Sequence, residues 1–417
     1  MTVTGTARIA TLDIVRGIAV MGILAMNIVD FAMPTQAYMN PAAYGTNSTA
    51  DLAAWIFAFI FVDGKMRGLF SLLFGASMLL VIEGAEAKGE NATAIHYRRM
   101  LWLGAIGLLH YYLIWHGDIL FGYAVAGMVA AFFYQKSPQA LIVWGVGFAV
   151  VQFALFAAIS ASFFIAEAEA AKPGSSAEAL AAWQDIERDF GRPGGAEIAK
   201  ELALFRGSYA GILEHRVTVQ LFAPAKGLFL FSWETIGYML FGMAALKTGF
   251  LRGTWARNAY ARTVAIGFGL GIPVYALLAW LMIRADFHAA TLFALWGAAT
   301  VPMRPAMILA TAALIILATR HRGALVARIA AAGRTAFTNY LGTSILMTTL
   351  FFGYGFGLFG HFGRAALWLV IIPAWALMLL WSRPWLDRFR YGPLEWAWRS
   401  LARGALQPMR RHVEAPA

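Results

Sequence analysis

The sequence predicts an all-α fold: a polytopic membrane helix bundle with about ten transmembrane helices, one outer helical loop and a C-terminal amphipathic helix. Hydrophobic residues make up 60% of the chain and charged residues only 13%, whereas soluble domains are roughly 45–50% apolar. Apolar runs of about 20 residues recur, each bounded by charged residues or by Gly and Pro. These runs are continuous rather than alternating, which argues against a β-barrel.

Residues 1–166 form the predicted N-terminal membrane half, with five helices. Their expected ranges are 11–33, 51–83 with a break near Asp63, 97–115, 118–134 and 139–166. The first apolar run carries Asp13 and Arg16 and lacks both a basic leader and a small-residue cleavage site. We therefore interpret it as a retained helix and not as a cleaved signal peptide.

Residues 167–215 are predicted to be an extracytoplasmic polar loop, because Ala and Glu dominate and "KPGSS" and "GRPGG" interrupt it. Residues 216–382 form the C-terminal membrane half, again with five helices. Their expected ranges are 221–246, 264–283, 306–319, 335–352 and 366–381. The stretch "DFHAATLFALWGAATVPMRP" is short and interrupted, which indicates a re-entrant or interfacial segment.

Residues 383–417 form a predicted cytoplasmic, basic, amphipathic tail. In "LEWAWRSLARGAL" an aromatic and aliphatic face lies opposite Arg399 and Arg403, as in helices that lie on an inner leaflet and attract anionic lipid. The basic loops all fall on one side under a ten-span count. The positive-inside bias thus predicts a multi-pass protein of the inner (cytoplasmic) membrane with both termini cytoplasmic.

The net charge of +11 follows from these cytoplasmic arginines, so we expect the lipid bilayer and no nucleic acid as partner. There is no cysteine, so thiol chemistry is excluded. Neither HExxH, a P-loop nor GxSxG occurs, and no His/Cys ligand set is clustered in the sequence. We therefore expect no metal.

Three charges interrupt the second helix in "FVDGKMRGLFSLLFG". Asp63 can pair with Lys65 or Arg67, because Gly64 can break the helix and expose them to water or protein. One interpretation is a cationic cavity for an anionic ligand; the alternative is an interfacial break with snorkelling side chains. In the first helix, Asp13 and Arg16 are three positions apart and are expected to pair.

Other polar groups lie within apolar helices or their connections. His110 is inside the third helix, and "HGD" places His116 and Asp118 in the tight turn that follows. A carboxylate beside an imidazole fixes its tautomer and raises its basicity. Glu234 lies in an otherwise uncharged span, so it must either meet a cation from another helix or be protonated. Asn339 is a polar group of the kind that joins membrane helices.

Long motifs in the sequence carry a resemblance to a known family. They are "RIATLDIVRGIAVMGILAMNI", "FVDGKMRGLFSLLFGASM", "RRMLWLGAIGLLHYYLIWHGDILFGYAVAG", "GRTAFTNYL" and "YGPLEWAWRSL". The chain resembles the bacterial YeiB-like family, which carries domain of unknown function 418. The N-terminal half is also similar in pattern to transmembrane acyltransferases such as heparan-glucosaminide acetyltransferase, which implies acyl transfer from an acyl-CoA-type donor to an acceptor at or across the membrane.

Under that resemblance, His116 would be the catalytic base and Asp118 its orienting partner. The donor, or another anion, would be bound by Arg16, Lys65 and Arg67. The expected cavity or proton-relay residues are Asp13, Asp63, His110, Glu234 and Asn339. The competing hypotheses are an inner-membrane transporter of an anionic solute and a non-catalytic membrane protein. The enzyme and the transporter share one expectation: Lys65, Arg67, His116 and Glu234 surround one hydrated cavity that takes a small molecule. A homo-oligomer is possible under either hypothesis.

Overall fold

The computed structural model describes residues 9–321 and 323–411, and it confirms the all-helical class. Across those residues no β-strand forms; one isolated bridge joins Phe389 to Arg410. The first helices are α1 Ala10–Ala32, α2 Thr49–Phe61, α3 Lys65–Glu86, α4 Ala92–Leu113, α5 Leu120–Ala130 and α6 Pro138–Ala170. The chain ends, 1–8 and 412–417, lie outside the described residues, as does part of the predicted tail.

The polar segment after α6 is helical as well. It contains α7 Ala177–Phe190, α8 Gly195–Phe205 and α9 Tyr209–Thr218. These helices are tied to the bundle: Thr35 donates to Glu201 from its backbone N (2.8 Å) and its Oγ1 (2.6 Å). Phe205 packs on Phe352 and Phe359. The segment therefore covers one end of the bundle.

The remaining helices complete the bundle. They are α10 Ala223–Lys247, α11 Arg257–Arg284, α12 Ala289–Phe293, α13 Arg304–Ala318, α14 Ala324–Arg334, α15 Ala336–Phe351, α16 Trp368–Arg388 and α17 Pro393–Arg403. The segment expected to be re-entrant is the short α12, which continues into a π turn over Ala294–Ala298.

Six stretches of the described chain are long and apolar enough to cross a membrane. They are Ala10–Ala32, Thr49–Glu86, Pro138–Ala170, Ala223–Lys247, Arg257–Arg284 and Trp368–Arg388. Shorter apolar helices include Leu120–Phe133 and Arg304–Ala318, and together with α4 and α15 they account for the expected ten. The structure supports a membrane bundle, but not the particular count of ten.

The predicted break in the second helix is present. Helix α2 ends at Phe61, and Gly64 has φ +68° directly before α3 begins at Lys65. A left-handed φ favours Gly over other residues. The break leaves Asp63 at the junction instead of inside a continuous helix.

Close helix crossings rely on glycine. A Cβ on Gly75 of α3 would lie 2.1 Å from the carbonyl oxygen of Met239 in α10, and one on Gly242 of α10 would lie 1.8 Å from that of Leu72. The α3 and α10 backbones are therefore in direct contact, as small residues permit in membrane bundles.

Helix α14 departs from the expectation for its segment. Residues 324–334 were predicted to be a cytoplasmic loop, but they form a helix that packs on α1. A Cβ on Gly17 would lie 2.1 Å from the Ile329 carbonyl oxygen, and one on Gly333 would lie 1.9 Å from that of Asp13. Buried Ala331 and Ala332 pack beside Gly333, so small residues allow a helix where the basic residues suggested a loop.

Helix α17 was predicted to lie on the inner leaflet, but part of it packs on other helices of the protein. Trp398 Nε1 donates to the Arg99 carbonyl at 2.9 Å, and the Arg99 guanidinium lies 4.3 Å from the Trp398 ring. Glu395 accepts from the Phe337 backbone N at 2.7 Å and from Thr338 Oγ1 at 2.6 Å. The apolar face thus packs partly on α4 and α15 instead of wholly on lipid.

Candidate functional site

Two chambers enter the bundle at opposite ends of α1. The first, which we call the histidine chamber, has a volume of about 380 Å³ and includes Asn27 and Asp30. The second, the arginine chamber, has a volume of about 950 Å³ and includes Asp13 and Arg16. Arg16 and Asn27 are eleven positions apart, or about 16 Å along the axis at about 1.5 Å per residue.

His116 and Asp30 face each other in the histidine chamber. Asp30 comes from the end of α1 and His116 from the α4–α5 connection; the His116 Nε2 to Asp30 Oδ2 distance is 3.1 Å. The approach is close but not aligned as a hydrogen bond, and among the described residues neither His116 ring nitrogen has a hydrogen-bond partner. Trp115 stacks on Phe31 at 3.9 Å and holds the connection against α1.

Asp118 orients His110, not His116. His110 Nδ1 lies 2.8 Å from Asp118 Oδ1, and both side chains are buried. The second oxygen, Asp118 Oδ2, accepts from the Phe121 backbone N at 2.9 Å, at the start of α5. The sequence predicted that Asp118 orients His116, its near neighbour. In the structure, however, the last turn of α4 places His110 next to Asp118 at the start of α5. His110 Nε2 is buried and finds no hydrogen-bond partner in the part of the chain that the structure describes.

Glu234 meets two cations from other helices, as its uncharged surroundings required. It accepts from Arg67 of α3 through Oε1 and from Arg304 of α13 through Oε2, the latter at 2.5 Å. Tyr238 donates to the same carboxylate at 3.2 Å. Sequence reasoning missed Arg304, although "VPMRP" placed a cation directly beside an apolar span. Both arginines also line the histidine chamber.

The three charges at the helix break separate. Asp63 lines the histidine chamber and accepts from Trp296 Nε1 at 2.6 Å, in place of the predicted pair with Lys65 or Arg67. Lys65 is only 1% exposed. Its Nζ donates to the Phe59 carbonyl and lies 3.4 Å from the centroid of the Tyr275 ring. It therefore neither snorkels nor faces a chamber.

The histidine chamber is not a simple anion pocket. Asp30, Asp63 and Asp118 line it together with Arg67 and Arg304. The carboxylates outnumber the guanidinium groups there, so a polar ligand with hydroxyl or amine donors matches this wall better than an anion does. Tyr38, in the turn after α1, also lines the chamber.

The arginine chamber has the opposite balance. Within the described ranges 9–321 and 323–411, six arginines line it: Arg16, Arg99, Arg252, Arg334, Arg390 and Arg399. The predicted Asp13–Arg16 pair is confirmed at 3.3 Å, and Arg16 also donates to Ser77 Oγ at 2.6 Å. Glu395 lines the chamber too, and its burial in α17 raises the pKa of its carboxyl.

Consecutive residues of the chain line the two chambers and form a partition between them. Ile119 lines the histidine chamber, while the next residue, Leu120, lines the arginine chamber. Tyr340 of the arginine chamber accepts from the Ile119 backbone N at 3.2 Å and packs on the His110 ring at 5.4 Å. The His110–Asp118 pair thus lies beside this partition.

The remaining candidates lie away from both chambers. Asn339 accepts from Trp381 Nε1 at 2.9 Å and donates to the Ala332 carbonyl at 3.0 Å, so it joins α14, α15 and α16. In the part of the chain that the structure describes, no group of three or more His, Cys, Asp or Glu side chains is placed to hold a metal ion.

An apolar helix bundle with two polar chambers defines the chain as a polytopic membrane protein. The comparisons specify the class further: the chain belongs to the YeiB-like family. It is 31% identical to "Uncharacterized protein YeiB" of Escherichia coli (strain K12), over 96% of this chain and 98% of that protein. It is also 31% identical to YxaH of Bacillus subtilis (strain 168), over 98% and 97%.

Residues 245–405 match the family model described as "Protein of unknown function (DUF418)". A further relative, the "Uncharacterized 39.9 kDa protein in amylase 3'region" of Bacillus acidopullulyticus, is 25% identical over 98% of this chain and 97% of that protein. No solved structure matches the chain.

Proposed function

We propose that the protein is a membrane acyltransferase that moves an acyl group from an acyl-CoA-type donor to an acceptor at or across the membrane. The observation that carries the proposal is the pair of chambers separated by the Ile119–Leu120 partition. The carboxylate-rich histidine chamber would take an acceptor that bears a hydroxyl or an amine, and the arginine chamber would take the donor.

His116 is the proposed general base because it lines the acceptor's chamber. Its imidazole would take the proton from the acceptor, while Asp30 stabilises the imidazolium that forms. The acceptor oxygen or nitrogen then bonds to the thioester carbonyl carbon and the C–S bond breaks. The leaving thiolate takes up the proton that the His116 imidazolium releases, so the base is regenerated and the acyl group is transferred without a net redox change.

Two arginines would act on the donor's carbonyl when the thioester end reaches past the Ile119–Leu120 partition into the histidine chamber. Arg67 and Arg304 line the histidine chamber while Glu234 fixes their positions from behind. Pre-positioned cations stabilise the oxyanion that develops during acyl transfer. Arg67 thus keeps a role near the donor, but at the reacting carbonyl instead of at the phosphates. Lys65 has no part in this proposal, since it lies away from the chambers.

We further place the protein in the inner membrane with both termini cytoplasmic and residues 167–215 outside, a proposal supported by the distribution of basic loops. In that orientation the arginine chamber faces the cytoplasm, where acyl-CoA is available. The histidine chamber then faces the outer side.

The experiment follows release of free CoA from acetyl-CoA by the purified protein, with a panel of sugars and amino alcohols as acceptors. The chain has no cysteine, so a thiol reagent reports CoA without background from the protein. We expect His116→Ala to lower the rate by about 10²–10⁴-fold, while the exposed His361→Ala serves as the control. No CoA release from any acceptor, or full activity in His116→Ala, would contradict the proposal.

Transport of a solute is the second candidate, because two chambers on either side of a partition also suit alternating access. Under this hypothesis, proteoliposomes take up a labelled anion without any acyl donor, and His116→Ala leaves uptake intact. Donor-dependent CoA release without uptake would favour the enzyme.

A further inference from the structure

Several separate helices and connections each contribute one arginine to the mouth of the arginine chamber. Arg16 comes from α1, Arg99 from α4, Arg334 from the end of α14 and Arg399 from α17. Arg252 follows α10 and Arg390 follows α16. Cations from six parts of the fold meet at one opening, so their convergence is a property of the fold and not of one charged helix face.

Among the residues that the structure describes, the opposing charge inside this chamber is small: the carboxylates that line it are Asp13, Glu83 and Glu395. Asp13 is paired with Arg16, and Glu395 is held by donors from Phe337 and Thr338. Burial also raises the pKa of Glu395, which favours its neutral form. The wall therefore carries an excess of positive charge that suits a ligand with several negative charges.

The deeper part of the same chamber is apolar. Among its lining residues are Phe70, Leu73, Met100, Leu103 and Leu120. The last of these forms the partition with the histidine chamber. An anionic head at the mouth and an apolar tail along this wall would fill the volume of about 950 Å³ with complementary surfaces.

Aromatic rings hold two of the guanidinium groups at the mouth. Arg99 lies 4.3 Å from the Trp398 ring, and Arg399 lies 4.8 Å from the Tyr391 ring. Cation–π contacts of this kind orient a planar guanidinium. Helix α17 thereby forms part of the wall of the arginine chamber.

From these observations we propose that the arginine chamber binds an amphiphile with a phosphate-bearing head at the six arginines and an acyl chain along the apolar wall. This inference deepens the proposed function, because it assigns the groups that would hold the acyl donor. Two sources share this chemistry: a soluble acyl-nucleotide thioester such as acyl-CoA, and an anionic phospholipid.

The test measures equilibrium binding of octanoyl-CoA, and separately of dioctanoyl phosphatidylglycerol, to purified full-length protein in a non-ionic detergent. Arg252→Gln and Arg390→Gln remove cations from the mouth at positions that are not fully buried. Arg262→Gln removes the same charge from an exposed position on α11 and is the matched control. Thermal unfolding confirms that each variant is folded.

We expect each chamber variant to raise the Kd of the ligand roughly tenfold, the effect of losing one charge-assisted hydrogen bond, while Arg262→Gln leaves it unchanged. Binding should also weaken as salt is added. If the arginine substitutions weaken the binding of octanoyl-CoA, the nucleotide thioester is the source of the phosphate. If they weaken only the binding of the phospholipid, the source is the lipid headgroup.

The inference is overturned if neither ligand binds, or if the chamber variants bind as the control does. Failure of this inference can be distinguished by experiment from failure of the proposed acyltransferase function. Arginine-sensitive binding of octanoyl-CoA without CoA release from any acceptor would support this site and count against the enzyme. CoA release that is unaffected by Arg252→Gln and Arg390→Gln would support the enzyme and count against this site.

Discussion

Some charged side chains in the bundle are buried away from water. Glu234 shows how such a buried charge is tolerated. It is 1% exposed and bonds to Arg67 and Arg304, which come from two other helices. A buried carboxylate is costly unless it is paired and hydrogen-bonded. Each member of this network therefore holds the others in place.

We expect Glu234→Gln to lower the free energy of unfolding by about 3–5 kcal/mol, because two buried guanidinium groups lose their anion. The measurement is thermal or denaturant unfolding of the purified protein in detergent. Lys226→Gln, at an exposed position of the same helix, is the control and should be near neutral. Equal stability of the two variants would show that the network adds nothing to the fold.

Helices in this protein approach one another through glycine, and the α3–α10 crossing is the clearest case. Gly75 of α3 lies against the Met239 carbonyl, and Gly242 of α10 lies against that of Leu72. The two contacts are reciprocal, so the helices cannot separate at one without shifting at the other. Because α3 carries Arg67 and α10 carries Glu234, this crossing sets the spacing of the central ion network.

Gly75→Ala should destabilise the protein by about 1–3 kcal/mol or more, since the new Cβ would overlap the Met239 carbonyl oxygen. The expected readout is a lower melting temperature, together with weaker binding or activity as Arg67 moves from Glu234. Gly84→Ala on the same helix meets nothing within 4 Å. That control should be neutral or slightly stabilising, and a loss as large as that of Gly75→Ala would argue against close packing as the cause.

At the level of the whole molecule, the two chambers make the two ends of the bundle different. The end with the arginine chamber also carries α17, and the other end is covered by α7, α8 and α9. The basic loops predict that the first end faces the cytoplasm. The assignment of donor and acceptor sides depends on that orientation.

Cysteine labelling tests the orientation, because the native chain has no cysteine. In intact cells, we expect a membrane-impermeant maleimide to label Glu178→Cys on α7 but not Ala405→Cys after α17. After permeabilisation both should react, since both positions are exposed. Labelling of Ala405→Cys alone in intact cells would reverse the orientation and with it the two sides of the proposed reaction.

Sequence patterns predicted the class of the fold and several local features. Continuous apolar runs indicated the membrane bundle, Gly64 indicated the break before α3, and Asp13 and Arg16 paired as their spacing required. These features depend on residues close in the chain, where helical periodicity fixes the geometry. The same local reasoning could not reveal α14, because its helix is stabilised by packing on α1.

The site was harder to predict because its residues meet through tertiary packing. Asp118 lies two positions from His116, yet it bonds to His110 across the turn. Asp30 meets His116 from another helix, and no spacing rule joins positions so far apart. Arg304 was overlooked for the same reason, although Glu234 required a cation that no nearby residue could supply.

The alternation of Ile119 and Leu120 constrains how α5 can change over time. Successive positions at the start of a helix point about 100° apart, so these neighbours serve opposite compartments. Inserting or deleting a single residue before Leu120 would rotate the side chains of α5 by about 100° relative to both chambers. The length of the chain before α5 is therefore less free to vary than the identity of its side chains.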